Sequence, residues 1–333
     1  MKQCWRWFGP EDLVKLSDLH RVGGEGIVTA IHAIPPGKAW GAQAIVDRQS
    51  ILSAGGYRWD VVESLPVSEE IKTQTGLMSG HIAAYKTSLR ALAQANIETV
   101  CYNFMPILDW TRTSLRAPQS HGGAAMLFDL TDFAVFDLHI LERRGAAEDY
   151  VDALRAAAFE RFSQMSGGDK TILQRNITAG LPGANDSWSL ADVRRLLNSY
   201  KGITTERLRA NLVDFLSEVA PLAETLGMRL CCHPDDPPFS LLGLPRVMSS
   251  SADYSAVLNA VDLTANGATL CTGSLGVSPS FDGPEFVKKH GPRIHFAHLR
   301  NTKRLASLMS DKPNFFEAPH LDGDTDMVGT VHA

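Results

Sequence analysis

His233, Cys271 and His298 are the side chains in this sequence best suited to hold a metal ion. Each falls at or beside the end of a short apolar run: 228–233, 268–272 and 293–298. Runs of this length between Gly, Pro and polar turns read as β-strands. In a parallel barrel, reactive groups collect at the C-terminal strand ends, and neighbouring strands lie roughly 5 Å apart. Three such ends can therefore meet at one ion. A lone buried histidine is more often a hydrogen-bonded core residue, but three potential ligands in step on consecutive strands favour ligation. By donor chemistry alone, two His and one Cys suit Zn²⁺. Strand alternation sends Cys231 and His233 to one face and Cys232 to the other.

Other polar residues near strand ends have two readings each. Asp235 and Asp236 follow His233-Pro234, and are either extra carboxylate ligands or a solvated acid pair held between prolines. Glu63 ends another apolar run and is an active-site acid or an ordinary charge at the barrel mouth. Tyr102 and Asn103 lead into Asp109-Trp110-Thr111-Arg112-Thr113, where Arg112 either clamps a carboxylate with two parallel hydrogen bonds or pairs with Asp109. His121-Gly122-Gly123 signals a flexible loop, a lid or a plain surface turn. No GxGxxG or GxxxxGK[ST] pattern is present, so no nucleotide cofactor is expected.

The elements that must position these groups alternate along the chain. Strands are expected at 5–8, 26–31, 58–63 and 99–103, separated by helices at 11–20 and 44–54 and by the Ile82, Tyr85, Leu89, Leu92 face. The alternation then pauses. Helices are expected at 127–143, 153–165, 170–179, 190–200 and 206–226, with Ser189 and Asp192 resembling a capping box. Segment 114–226 thus reads as a helical insert after the fourth strand. Alternation resumes with strands at 228–233, 268–272 and 293–298, and Pro284 opens a short helix between the last two. The expected fold is one α/β domain over 1–333, a TIM-type (β/α)8 barrel with seven strands in evidence. An eighth strand is not visible before Ala333, so a gap is expected between the seventh strand and the first, and the chain reads as cut short.

Composition agrees with a globular protein of that size: 44% hydrophobic and 21% charged over 333 residues. No apolar run reaches the roughly 18 residues of a membrane helix, and the N-terminus has no signal-peptide pattern. A formal net charge of −5 argues against nucleic acid as the main partner. The odd count of 5 cysteines, two adjacent, does not form a disulfide framework, which points to a cytoplasmic location.

Several longer motifs are specific: Trp5-Arg6-Trp7-Phe8-Gly9-Pro10, Val100-Cys101-Tyr102-Asn103-Phe104-Met105-Pro106, Asp109-Trp110-Thr111-Arg112-Thr113, Ala179-Gly180-Leu181-Pro182-Gly183, His233-Pro234-Asp235-Asp236-Pro237-Pro238, Cys271-Thr272-Gly273-Ser274 and His298-Leu299-Arg300. With them the chain closely resembles the D-mannonate dehydratase family from Trp5 to about Met327. The resemblance implies a metal-dependent barrel lyase of hexuronate breakdown, converting D-mannonate to 2-keto-3-deoxy-D-gluconate and water with Mn²⁺ or Fe²⁺. It implies His233, Cys271 and His298 as metal ligands, and a small sugar acid as substrate. Tyr102, Arg112 and Arg300 are then the expected contacts to its carboxylate and hydroxyls, since Arg suits a planar carboxylate. A homo-oligomer is also expected. The family's Asp-His-Gly-His and Asn-Pro-Gly-Tyr segments, which would supply a fourth ligand and the acid/base pair, have no counterpart in this sequence. That departure predicts no catalysis from these residues alone. The alternatives are a catalytically defective metal- and sugar-acid-binding fragment, or a metal-dependent sugar isomerase on the same barrel.

Overall fold

The computed structural model describes residues 1–120, 122–179 and 188–333. His121 and the Gly180-Leu181-Pro182-Gly183 part of one motif lie outside the described residues. In chain order the strands are β1 (Cys4–Arg6), β2 (Gly26–Thr29), β3 (Trp59–Glu63), β4 (Thr99–Tyr102), β5 (Ser114–Pro118), β6 (Ala124–Phe128), β7 (Arg229–Cys232), β8 (Asn266–Cys271), β9 (Ile294–His298), β10 (Asn301–Leu305) and β11 (Asn314–Ala318).

Seven of them make one parallel sheet in the order β1-β2-β3-β4-β7-β8-β9. These are the seven strands expected from sequence, each within a few residues of its expected bounds. The sheet curls into an α/β TIM-barrel-like wall with β1 and β9 as its edges. Among the described residues no strand pairs with both edges, so the wall is open there, as the strand count predicts.

Two apolar layers hold the wall. A small inner cluster contains Val28, Val61, Cys101 and Cys231, with Cys4 and Phe296 against it. A much larger layer lies between the sheet and its helices and runs from Trp7 to Phe315. The helix Thr205–Thr225 shows how sequence builds that layer. Thr204 caps its first turn by accepting from the Arg207 N–H, and Leu208, Leu212, Phe215, Leu216 and Val219 form a buried stripe at three-and-four spacing. Gly227, at φ +68°, takes the left-handed position that ends the helix, and the Met228 N–H closes back on Ala223 O at 2.8 Å.

The insert is not purely helical. Residues 114–128, expected to open it, form a β-hairpin, and the helix expected from 127 begins only at Leu130, after the Asp129 cap. The hairpin joins β10 and β11 in a second, antiparallel sheet of order β10-β11-β6-β5. The pairing of Phe315 with Phe128 and Phe316 with Leu127 spans nearly two hundred residues, beyond the reach of local pattern. The segment after β9 is strand, turn and strand, followed by the helix Met327–His332.

Candidate metal centre

Strand alternation builds the site. The inner cluster is one layer of side chains, and two residues further along each strand is the next layer, at the mouth. From Cys4, Val61, Cys101, Cys231 and Phe296 this leads to Arg6, Glu63, Asn103, His233 and His298. On β8, Thr269 meets the Cys101 thiol at 3.4 Å inside the wall, so Cys271 belongs to the mouth layer. Register completes the placement: Cys271 pairs with His298, and the His233 N–H extends the ladder to Tyr102 O at 2.9 Å.

The nitrogen and sulfur donors of His233, Cys271 and His298 all lie within 4.8 Å of one another. His233 Nε2 faces His298 Nδ1 at 3.1 Å. The other nitrogen of each ring is engaged behind: His233 Nδ1 with Pro234 O at 2.7 Å, and His298 Nε2 with Glu63 Oε2 at 3.0 Å. Rings held this way present their remaining nitrogens, Nε2 of His233 and Nδ1 of His298, to a common ion. Cys271 Sγ accepts from Ser274 N–H at 3.4 Å and from Ser274 Oγ at 3.2 Å. Burial alone would push the Cys271 thiol up, but Arg300 and then His233 hold it well below its ordinary value. A thiolate with two imidazoles is a donor set that fits a divalent transition metal.

The acids sort differently from expectation. Glu63 is buried, yet Arg6 and His298 hold its carboxyl well below the usual range against that burial. Its second oxygen meets Arg6 Nη1 at 2.6 Å. Asp235 and Asp236 are neither ligands nor solvated. Asp235 accepts from Met248 N–H at 2.7 Å and Ser249 Oγ at 2.8 Å, which ties it to the following loop. Asp236 lies between two arginines: Arg112 Nη1 at 2.8 Å and Arg300 Nη2 at 2.8 Å. Glu317 of β11 completes the group, 2.8 Å from Arg112 and 3.0 Å from Arg300.

This geometry changes the reading of the three expected substrate contacts. Arg300 stays at the mouth and lines a cavity of about 1270 Å³ with His233, His298, Glu63 and Asn103. Arg112 is fully buried, sandwiched between Trp110 and Phe315 at 4.8 and 4.7 Å, and its terminal nitrogens are spent on Asp236 and Glu317. Its partner is not Asp109, which lies near Lys72 instead. Tyr102 points away from the mouth. It packs on Phe215 of the long helix at 5.9 Å, because it is one residue, not two, beyond inward-facing Cys101. Asn103 takes the mouth position on β4.

Sequence reasoning left out Arg6 and Gly273. Arg6 could have been found by counting two from Cys4. A Cβ at Gly273 would lie 2.2 Å from Arg300 Nε, so only glycine lets Arg300 cross beside Cys271.

The sequence matches the family D-mannonate dehydratase (UxuA) over residues 1–333. It is 51% identical over 331 residues to a mannonate dehydratase of Rhizobium meliloti (strain 1021), covering 99% of this chain and 82% of that one. It is 52% identical over 333 residues to mannonate dehydratase 1 of Agrobacterium fabrum, covering 100% of this chain and 82% of that one. The crystal structure of mannonate dehydratase from Streptococcus suis serotype 2 superposes with a TM-score of 0.77 at 31% identity, covering 99% of this chain and 79% of that one.

Proposed function

The chain belongs to the D-mannonate dehydratase family and has that family's hydro-lyase activity on a sugar acid, so the expectation of no catalysis from these residues does not hold. On that premise we propose that His233, Cys271 and His298 hold Mn²⁺ or Fe²⁺, and that D-mannonate binds above them and leaves as 2-keto-3-deoxy-D-gluconate. The observation that carries this reading is the convergence of the three donors within 4.8 Å. Bound there, a divalent ion would supply Lewis-acid stabilisation of the negative charge that develops on a substrate oxygen.

The remaining work falls to the chain's own groups. Glu63 and Pro234 O fix the ring orientation of the two histidines. Arg300 keeps Cys271 in its thiolate form and turns toward the cavity, where it meets a substrate hydroxyl. Arg112, Asp236 and Glu317 hold Arg300 in place, a positioning role for Arg112 rather than contact with substrate. Tyr102 has no part in substrate contact.

All 5 cysteines are free, which suits a reducing cytoplasm. Among the described residues no helix is long and apolar enough to cross a membrane. Among the described residues no strand pairs with the outer edge of β5, which supports a homo-oligomer, checked by light scattering.

The decisive assay is the protein loaded with Mn²⁺ and given D-mannonate. A 2-keto-3-deoxy acid should form, and a chelator should stop it. Metal and mannonate binding without product would leave a sugar-acid-binding protein that lacks the lyase step.

A further inference from the structure

Arg6 closes β1, and alternation from Cys4 aims its side chain at the mouth while Trp5 faces outward. Only Nη1 of its guanidinium is used, on Glu63 Oε1 at 2.6 Å. Nε and Nη2 are buried and have no hydrogen-bond partner among the described residues. On any arginine, Nε–H and Nη2–H lie parallel along one edge and match the two oxygens of a carboxylate. A buried cationic donor left without a partner is costly, so an empty edge of this kind is a place prepared for an acceptor. The Phe8 ring, 5.1 Å from the Arg6 guanidinium carbon, fixes the plane of that edge.

The surroundings agree. Arg6 lines both the large cavity, which runs along the wall from Arg58 and Glu98 at the strand starts to His233 and His298 at the mouth, and a second chamber of about 500 Å³, and Asp109 and Trp110 line both as well. Glu63 bridges Arg6 to His298, so the free edge stands one carboxylate away from the metal ligands. Arg112 and Arg300 offer no comparable edge: the Nη2 of each already donates to Asp236 or Glu317, and only Nε is left without a hydrogen bond.

We propose that the Nε/Nη2 edge of Arg6 binds the carboxylate of the sugar-acid substrate and so sets the preference for acids over polyols. The proposal rests on the reading of the chain as a sugar-acid lyase. In it, Arg6 recognises the acid end, while the hydroxyls reach back toward His233, Cys271 and His298.

The test is calorimetric titration of the Mn²⁺-loaded full chain with D-mannonate and with D-mannitol, the same polyol lacking the carboxylate. Wild type should bind D-mannonate more tightly. Arg6→Lys keeps a cation for Glu63 but lacks the two-pronged edge. It should weaken D-mannonate by about 10- to 100-fold and leave D-mannitol and Mn²⁺ affinities unchanged. Arg6→Gln should lose the preference as well. Unchanged D-mannonate affinity in both variants would overturn the proposal, as would a parallel loss of D-mannonate, D-mannitol and Mn²⁺, which marks a structural role through Glu63. Equal wild-type affinity for the two ligands would overturn it without any variant. If wild type turns over D-mannonate while any of these results holds, only the role of Arg6 fails. If wild type neither binds nor converts D-mannonate, the lyase reading fails with it.

Discussion

Glu63 Oε2 lies 3.0 Å from His298 Nε2, joining the ends of β3 and β9 across the mouth of the open sheet. The contact decides which His298 nitrogen is free. With Nε2–H donated to Glu63, Nδ1 is left facing His233 Nε2. Burial lowers the His298 pKa, but Glu63 and the Cys271 thiolate outweigh it and push it up to about 10. The carboxylate therefore raises the basicity of a ring that is otherwise unfavourably placed, as outer partners of metal-bound histidines generally do.

Glu63→Gln should weaken Mn²⁺ binding by about 10- to 100-fold, the usual scale for losing such an outer partner. The amide keeps the shape but loses the charge that faces both Arg6 and His298. Equilibrium dialysis with metal analysis measures this. Affinity equal to wild type would reduce Glu63 to a packing residue.

Gly273→Ala should act on Cys271 at a distance. The added Cβ would fall 2.2 Å from Arg300 Nε and 3.0 Å from Arg300 Cβ, too near the backbone for a simple rotamer change. Arg300 must move, and with it goes the first of the groups that hold the thiol down. Titration by thiolate absorbance should find Cys271 higher in the variant, with a stability loss of about 1–3 kcal/mol from overpacking. An unshifted thiol would mean that His233 and His298 suffice.

Tyr102→Phe separates the expectation from sequence from the structure. If Tyr102 contacted substrate, losing its hydroxyl would raise KM. In the structure the ring packs against Phe215, and the buried hydroxyl has the Cys232 thiol as its side-chain partner. Removing a hydroxyl whose partner is a weakly hydrogen-bonding thiol leaves little unsatisfied, so stability should hold within about 1 kcal/mol. KM for D-mannonate should be unchanged, and a several-fold rise would return Tyr102 to the site.

The contrast between Tyr102 and His298 shows what was legible in the sequence. All seven wall strands carry a local signal, a short apolar run between turn residues, and strand-end positions followed from it. His233, Cys271 and His298 were legible because each strand end could be placed to within a residue or two. The direction of Tyr102 was not legible because one residue of error on a strand reverses the face, and only the packing of Cys101 in the inner layer fixes the parity. The small sheet failed for another reason. Ser114–Pro118 and Ala124–Phe128 are short, and their partners near Phe315 are remote, so no local window contains the pairing. Glu317, which completes the cage around Arg112 and Arg300, depends on that sheet and was hidden with it.

Asp236 carries the prediction with the clearest pH dependence. Burial would raise its carboxyl, but Arg112 and then Arg300 hold it far below the usual carboxylate range. In the unfolded chain the same group titrates near 3.9. A depressed folded value means that the stabilisation is fully present above about pH 4 and is lost as the pH falls from there toward the folded value. Asp236→Asn leaves two arginines facing an amide at a fully buried position, and breaking a buried pair in this way costs about 3–5 kcal/mol. Urea denaturation at pH 7 should show that difference between wild type and variant, unchanged at pH 5. At pH 3 the gap should be smaller, because the unfolded wild-type chain then gains a proton that the folded chain refuses. A gap that stays constant down to pH 3 would mean that the charge on Asp236 is not what holds Arg112 and Arg300. The shape of the group would then matter more than its ionisation.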